Sequence, residues 1–238
     1  MDKEQIKQII ESNKSFYELV AEEFSPTRKN PWNGWFTLLK IINTKYKNKK
    51  EIKVLDLGCG NGRFCTFLSK NLYKKFKYVG VDANHKFLDE AKKTSTDGSF
   101  FVFDVFMDIN NKQFAAEKFD LIVAFGLVHH IPDINFRKEW FKSVKRLLAK
   151  DGIFVTAFWN FISDSRFKER ALKPENLEEN DYFYTWGKNG PKRYFHYYTT
   201  EEINDISTCA GLNILSEFYA DGKTNDLNRY IMFVADEV

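Results

Sequence analysis

Cysteine is scarce and unclustered in this 238-residue sequence. Cys59, Cys65 and Cys209 are an odd set, which argues against a disulfide framework and against a cysteine zinc site. Long apolar runs are also missing: none approaches the roughly 18 residues that span a bilayer, and Met1 to Glu11 is polar and mixed in charge, unlike a secretory leader. The expectation is a reduced, cytoplasmic chain with no membrane segment. No internal repeat is visible, and the length suits one α/β domain with room for a modest insertion. Hydrophobic residues make up 43%, charged 29% and aromatic 17%, a composition that excludes disorder and predicts a sizeable core.

A net charge of +3 hides an asymmetry, because residues 1–80 carry 16 Lys and Arg against 8 Asp and Glu. Lys45, Lys47, Lys49, Lys50 and Lys53 form one basic cluster and Lys70, Lys74, Lys75 and Lys77 another. Such clusters can meet a phosphate backbone. The bland reading is solvated surface at helix ends.

Apolar spacing predicts an amphipathic helix within the first thirty residues, through Ile6, Ile9, Ile10, Phe16, Tyr17, Val20 and Phe24, and a second from Trp32 to about Tyr46. Ile52 to Leu57 reads as a buried strand ending in glycines. Strands over Lys77 to Val81, Phe100 to Phe103, Phe119 to Phe125 and Gly152 to Trp159 then alternate with helices over Asn84 to Lys93 and Phe136 to Leu148. This rhythm is a parallel α/β sheet. Residues 160–192 are polar and read as an insertion or flexible cap, whose acids Glu175, Glu178, Glu179 and Asp181 would repel RNA if they faced the site. A helix from Thr200 to Cys209 precedes strands over Leu212 to Ala220 and Arg229 to Ala235, which can form an antiparallel edge hairpin around Asp221 and Gly222. The segments are thus an N-terminal helical part (1–50), a core (51–159), a cap (160–199) and a closing helix and hairpin (200–238), in one domain overall.

In Val54-Leu55-Asp56-Leu57-Gly58-Cys59-Gly60-Asn61-Gly62, a buried strand runs into a turn where three missing Cβ atoms let backbone approach a ligand closely. A dinucleotide loop would read G-x-G-x-x-G; this one reads G-x-G-x-G after an acid, and Asp56 would oppose a pyrophosphate but can meet an ammonium or a water. Asp82 ends the next strand, placed for both hydroxyls of a ribose, and Asp104 follows the third, where it can accept the amine of an adenine. Together they describe a site for an adenosine bearing an amino acid.

On these residues, with Phe119-Asp120-Leu121-Ile122-Val123 and Leu148-Ala149-Lys150-Asp151-Gly152, the segment Lys53 to Trp159 resembles the class I S-adenosylmethionine-dependent methyltransferases. The resemblance implies a Rossmann-like sheet, mostly parallel with an antiparallel C-terminal edge hairpin and helices on both faces. It implies S-adenosylmethionine as cofactor, S-adenosylhomocysteine as product and no metal, with contacts from Asp56, Gly58, Cys59, Gly60, Asn61, Gly62, Asp82, Asp104 and Val105.

Three further matches are similar to the tRNA wobble-uridine carboxymethyl methyltransferases. Glu23-Phe24-Ser25-Pro26-Thr27-Arg28-Lys29-Asn30-Pro31-Trp32 is close to their H-F-S-x-T-R-x-x-P-W, Leu127-Val128-His129-His130 matches their histidine pair, and Arg193-Tyr194-Phe195-His196 is similar to their R-Y-Y-H, with Phe195 where many relatives have tyrosine. That resemblance implies esterification of the carboxylate of 5-carboxymethyluridine in tRNA, and a small zinc-binding activator as partner. A carboxylate is already ionised near pH 7 and needs orienting groups rather than a base. Arg28 and Arg193 are the candidates to grip it, with His129 or His130 over the methyl, Tyr194 and Trp32 to stack on the base, and His196, Lys47, Lys49 and Lys50 as further substrate contacts. The bland readings are a helix cap or Glu22 partner for Arg28, a pocket wall for the histidines, an anchor of the cap for Arg193 and His196, and core for Trp32. Two other functions stay open: a metabolite methyltransferase closed by the cap, and a scaffold that binds cofactor without catalysis.

Overall fold

The structure is a computed structural model, which describes residues 1–109 and 117–236. A seven-stranded sheet runs in the order β3-β2-β1-β4-β5-β10-β9. Its strands are β1 (Glu51–Leu57), β2 (Lys75–Asp82), β3 (Gly98–Val102), β4 (Phe119–Phe125), β5 (Leu148–Trp159), β9 (Leu212–Ala220) and β10 (Asn228–Ala235). Strands β3, β2, β1, β4 and β5 pair in parallel, and β10 is antiparallel to both neighbours, β5 and β9. The expected hairpin is therefore present, with β10 as the one reversed strand and β9 at the rim running in the sense of β5.

Strand periodicity sorts the core into two layers. Leu55, Ile122, Ala124, Phe154 and Phe158 point to one face, against α5 (Ile134–Leu147) through Trp140, Phe141 and Val144 and against α7 (Thr200–Ala210) through Ile203 and Ile206. Val54, Leu121, Val123, Ile153 and Val155 point to the other, against α2 (Asn33–Lys45), α3 (Arg63–Asn71) and α4 (His85–Thr94) through Trp35, Leu38, Phe64, Leu68 and Leu88. Because β4 is buried on both faces, truncating a side chain such as Ile122 to Ala would cost ~2–5 kcal/mol. Among the described residues no helix is long and apolar enough to cross a membrane.

The long helix α1 (Lys3–Phe24) starts at a capping box between Asp2 and Gln5 and lies outside the two layers. Asn13 of α1 ties it to β8 (Lys192–His196), accepting from the Tyr194 amide at 2.7 Å and donating to the Tyr194 carbonyl at 3.0 Å. The sequence signals no regular element over residues 160–192, but the structure builds there a one-turn helix, α6 (Ser165–Lys168), and a three-stranded antiparallel sheet of β6 (Ala171–Leu172), β7 (Asp181–Thr185) and β8. Phe161, Tyr184 and Phe195 form its small apolar core, with Trp159 and Phe167 packed against them. Two of its acids turn inward: Asp181 is fully buried against Tyr194 and His196, and Glu178 is paired with Arg137.

Candidate active site

The parallel strands reverse order between β1 and β4, leaving a crevice at their carboxyl ends. A cavity of about 550 Å³ opens there, walled by the loop after β1, by α1 and by Trp159 and Arg193. The glycine loop fits it. Gly58, Gly60 and Gly62 all have positive φ, at 73°, 53° and 74°. A Cβ on Gly60 would meet nothing within 4 Å, so the loop there faces open space that a ligand can enter. Gly62 is different, because its Cβ would lie 2.9 Å from that of Ala91. The expected cofactor contact at Gly62 is thus corrected: it closes the turn and lets α3 pack on α4, and it does not line the cavity.

Four of the loop's amides are spent within the protein. Gly58 and Cys59 donate to the Val81 carbonyl at 2.8 and 3.0 Å, Gly60 to the Asp82 carboxylate at 2.9 Å and Gly62 to the Cys59 carbonyl at 3.1 Å. Cys59 and Asn61 line the cavity, and Asn61 donates to Ser25 Oγ at 2.9 Å, fastening the loop to the turn before Arg28.

All three expected acids reach the cavity. Asp56 is 3% exposed and accepts a hydrogen bond from the Tyr78 hydroxyl; burial pushes its carboxyl up to about 7, with Asp82 adding to the rise. Asp82 also accepts from the Asn84 amide at 2.8 Å, so each of its oxygens holds one backbone donor and keeps a lone pair for a hydroxyl. Burial raises its pKa as well. Asp104 accepts from the amides of Phe106 and Met107 at 3.0 and 3.2 Å, and Lys14 of α1 lies 3.2 Å from its other oxygen. Val105 lines the wall beside it.

At the opposite wall is a chain of hydrogen bonds. Arg193, 8% exposed, lies 5.4 to 6.0 Å from the ring centres of Phe16, Tyr17, Trp159 and Tyr184. It donates to the Tyr17 hydroxyl at 2.7 Å, and its buried Nε has no partner. The Tyr17 hydroxyl is 2.8 Å from His130 Nε2, and His130 Nδ1 is 2.8 Å from the Tyr194 carbonyl. A carbonyl can only accept, so the 2.8 Å contact places the hydrogen on Nδ1 over the longer 3.2 Å approach of Asn13 Nδ2, and Nε2 accepts from Tyr17. Burial, then Arg193, pulls His130 down to about 3. Burial, then His130 and Arg193, pulls His129 well below its ordinary value, and His129 Nδ1 is buried without a partner. Both imidazoles are neutral at pH 7.

Arg28 also lines the cavity, stacked 4.4 Å over Phe24 and donating to Thr27 Oγ1 at 3.1 Å. Burial and then Arg193 lower its pKa. Arg63 completes the set, and none of Arg28, Arg63 and Arg193 has a carboxylate within 4.0 Å among the described residues. Three guanidinium groups without an ion pair among the described residues leave donors for anionic ligands, and the carboxylates of Asp56 and Asp221 act on Arg63 from farther off. Trp32 belongs to both readings, lining the cavity while packing on Trp35 and Phe125.

Other expectations are corrected. Tyr194 is fully buried, with its hydroxyl 2.6 Å from Asp181, and cannot stack on a base; its contribution is the carbonyl that orients His130. His196 lies outside the cavity, with its ring nitrogens 2.7 and 2.8 Å from Asp181 and Glu202. Glu178, Asp181 and His196 are within metal-ligand reach of one another, but Arg137 pairs with Glu178 and Glu202 and supplies the positive charge. Lys47, Lys49 and Lys50 precede β1, whose seven residues put them on the order of 20 Å from its carboxyl end, and Lys49 is paired with Asp120. Sequence reasoning assigned no role to Lys14, Tyr17, Arg63 or Asp221. Tyr17 and Arg63 each adjoin a recognised motif; Asp221, which accepts from Tyr230, Asn228 and Gly34, carried only a turn signal.

Known proteins bear on this geometry. The chain is 28% identical to an Encephalitozoon cuniculi protein with a methyltransferase name, over 84% of this chain and 86% of that one. It is 25% identical to the tRNA (carboxymethyluridine(34)-5-O)-methyltransferase of Schizosaccharomyces pombe, over 85% and 89%. A SAM-dependent methyltransferase from Methanosarcina mazei superposes with a TM-score of 0.66 at 19% identity, covering 83% of this chain and 98% of that one, which establishes the fold. The family described as Methyltransferase domain matches residues 48–210, and the chain belongs to it.

Proposed function

We propose that this S-adenosylmethionine-dependent methyltransferase esterifies the carboxylate of 5-carboxymethyluridine at the wobble position of tRNA. The cavity suits the cofactor by the chemistry of its walls: open space at Gly60, and the carboxylates of Asp56, Asp82 and Asp104 at successive strand ends. These residues would hold the ammonium, the ribose hydroxyls and the adenine amine. When bound, the cofactor supplies an electrophilic methyl group on a sulfonium. The protein's task is then to fix the acceptor in line and keep water out.

The observation that carries the acceptor reading is Arg193, a buried guanidinium with an unpartnered Nε and no carboxylate beside it. Arg193 and Arg28 orient the substrate carboxylate as charged donors, and the neutral imidazole of His129 lines the same wall without opposing the acceptor's charge. A carboxylate needs no proton removed, so the reaction makes no demand on the two neutral histidines as bases. The name of the fission-yeast relative supports the same acceptor. A zinc-binding activator is the partner we assign to β3, which pairs only with β2 among the described residues and exposes Phe101 and Val102.

The test is methylation of bulk tRNA from cells lacking the endogenous activity, followed by nucleoside analysis. The proposal expects label in a base-labile ester of a modified uridine; label on nitrogen, or in no nucleoside, contradicts it. Binding of tRNA should also weaken steeply with salt. Methylation of a small metabolite with no response to tRNA would favour the cap-closed metabolite enzyme instead.

A further inference from the structure

Arg63 is the first residue of α3, directly after the glycine loop, and lines the same cavity as Asp56. Its guanidinium carbon lies 5.4 Å from the ring centre of Trp32 and 5.1 Å from that of Trp35. One N–H donates to the Asn30 carbonyl at 2.8 Å; no other acceptor within the described residues takes its remaining donors. Two aromatic faces and a backbone carbonyl fix this group, so it keeps its fork preorganised with donors in reserve.

Four amides of the loop beside it are already engaged and not open to an anion. The amides of Gly58, Cys59, Gly60 and Gly62 all serve protein acceptors. An anionic group lodged against this loop can be met by a side chain, and Arg63, directly after the loop, is the cationic one that lines the cavity there. Asp56 offers a carboxylate on the same cavity, and the two residues form no ion pair with each other. A carboxylate and a guanidinium held apart around one space are the complement of a zwitterion.

We propose that Arg63 is the carboxylate-binding residue for the amino-acid end of the methyl donor, paired in function with Asp56 at the ammonium, so that Arg28 and Arg193 remain for the substrate. The inference rests on the donor-site reading above and adds a residue that the sequence patterns did not assign. It divides the three guanidinium groups by element: Arg63 at the start of α3 beside the loop, Arg193 on β8 at the histidine wall, and Arg28 after α1, stacked on Phe24.

Calorimetry on the full chain tests this with two ligands that share the adenosine and differ in the amino acid. S-adenosylhomocysteine carries the carboxylate, and 5′-methylthioadenosine lacks it. Arg63→Met keeps an apolar stem against the tryptophans and Arg63→Lys keeps the charge without the fork. The expected result is that Arg63→Met weakens S-adenosylhomocysteine at least tenfold and 5′-methylthioadenosine less than twofold, with Arg63→Lys intermediate, at unchanged thermal midpoints. Equal losses for both ligands would make Arg63 a structural residue and overturn the assignment, as would no loss for either. If the wild-type chain binds neither ligand, the donor site itself is wrong; if it binds both and the variants do not discriminate, only the role of Arg63 falls.

Discussion

Arg193 donates a hydrogen bond to the Tyr17 hydroxyl at 2.7 Å across 176 residues of chain, joining the cap's β8 to the N-terminal helix at the wall of the cavity. The same hydroxyl donates to His130 Nε2, so one phenol sets both the fork of the arginine and the orientation of the imidazole. Tyr17→Phe leaves both groups short of a partner. Losing a hydrogen bond at such groups costs ~1–3 kcal/mol, which predicts a fall in kcat/KM of roughly 10- to 100-fold. Steady-state kinetics on tRNA, with S-adenosylhomocysteine affinity as control, checks it; an unchanged kcat/KM would detach the wall from catalysis.

Arg193→Lys keeps the charge but loses the planar fork and its fit among four aromatic rings. If Arg193 holds the acceptor as proposed, tRNA methylation drops by on the order of 100-fold while S-adenosylhomocysteine binds within about twofold of wild type. A matched loss of cofactor affinity would place Arg193 on the donor instead.

Asp56 links pH to stability and, in the proposed contact with the ammonium, to binding. Burial raises its carboxyl to about 7, above the roughly 3.9 of an unfolded chain. The folded protein then holds a proton that the unfolded chain has released, so this contribution to stability is complete below about pH 4 and is lost as pH rises through 7. An ammonium needs the anion. S-adenosylhomocysteine should therefore bind more tightly as pH rises from about 6 to 8, and Asp56→Asn should bind weakly with a flat profile. Calorimetry across that range decides, and a flat wild-type profile would remove Asp56 from the ammonium.

His196→Gln should act on stability rather than on the reaction. The ring bridges Asp181 of β7 and Glu202 of α7, and its loss leaves buried acceptors unpaired, at ~1–3 kcal/mol. A lower thermal midpoint with kcat retained is expected at temperatures where the variant is folded. Loss of kcat at a normal midpoint would return His196 to the active site.

These residues show what the sequence makes legible. The bounds of β4 could be read directly, because Phe119-Asp120-Leu121-Ile122-Val123-Ala124-Phe125 is a nearly unbroken apolar run in a strand buried on both faces. The glycine loop and its acids were legible because a backbone turn and a charge at a strand end leave a local signature. The cap's small sheet was not: its strands are two to five residues long, and β7 owes its burial to Phe161 and Phe195 rather than to a pattern of its own. Tyr194 and His196 looked like ligand groups because a polar-tipped aromatic reads alike in a site and in a satisfied core, and Asp181, which settles the matter, lies 13 and 15 residues upstream. Arg63 shows the converse, since the lack of an ion pair is a property of three-dimensional surroundings.

Acceptor chemistry offers the most direct test of the account. An anticodon stem-loop carrying 5-carboxymethyluridine should take one labelled methyl per S-adenosylhomocysteine formed, released by mild base, whereas the same stem-loop with the neutral carbamoylmethyl group should take none. Equal labelling of the two, or label that survives base, would contradict a site built around a carboxylate.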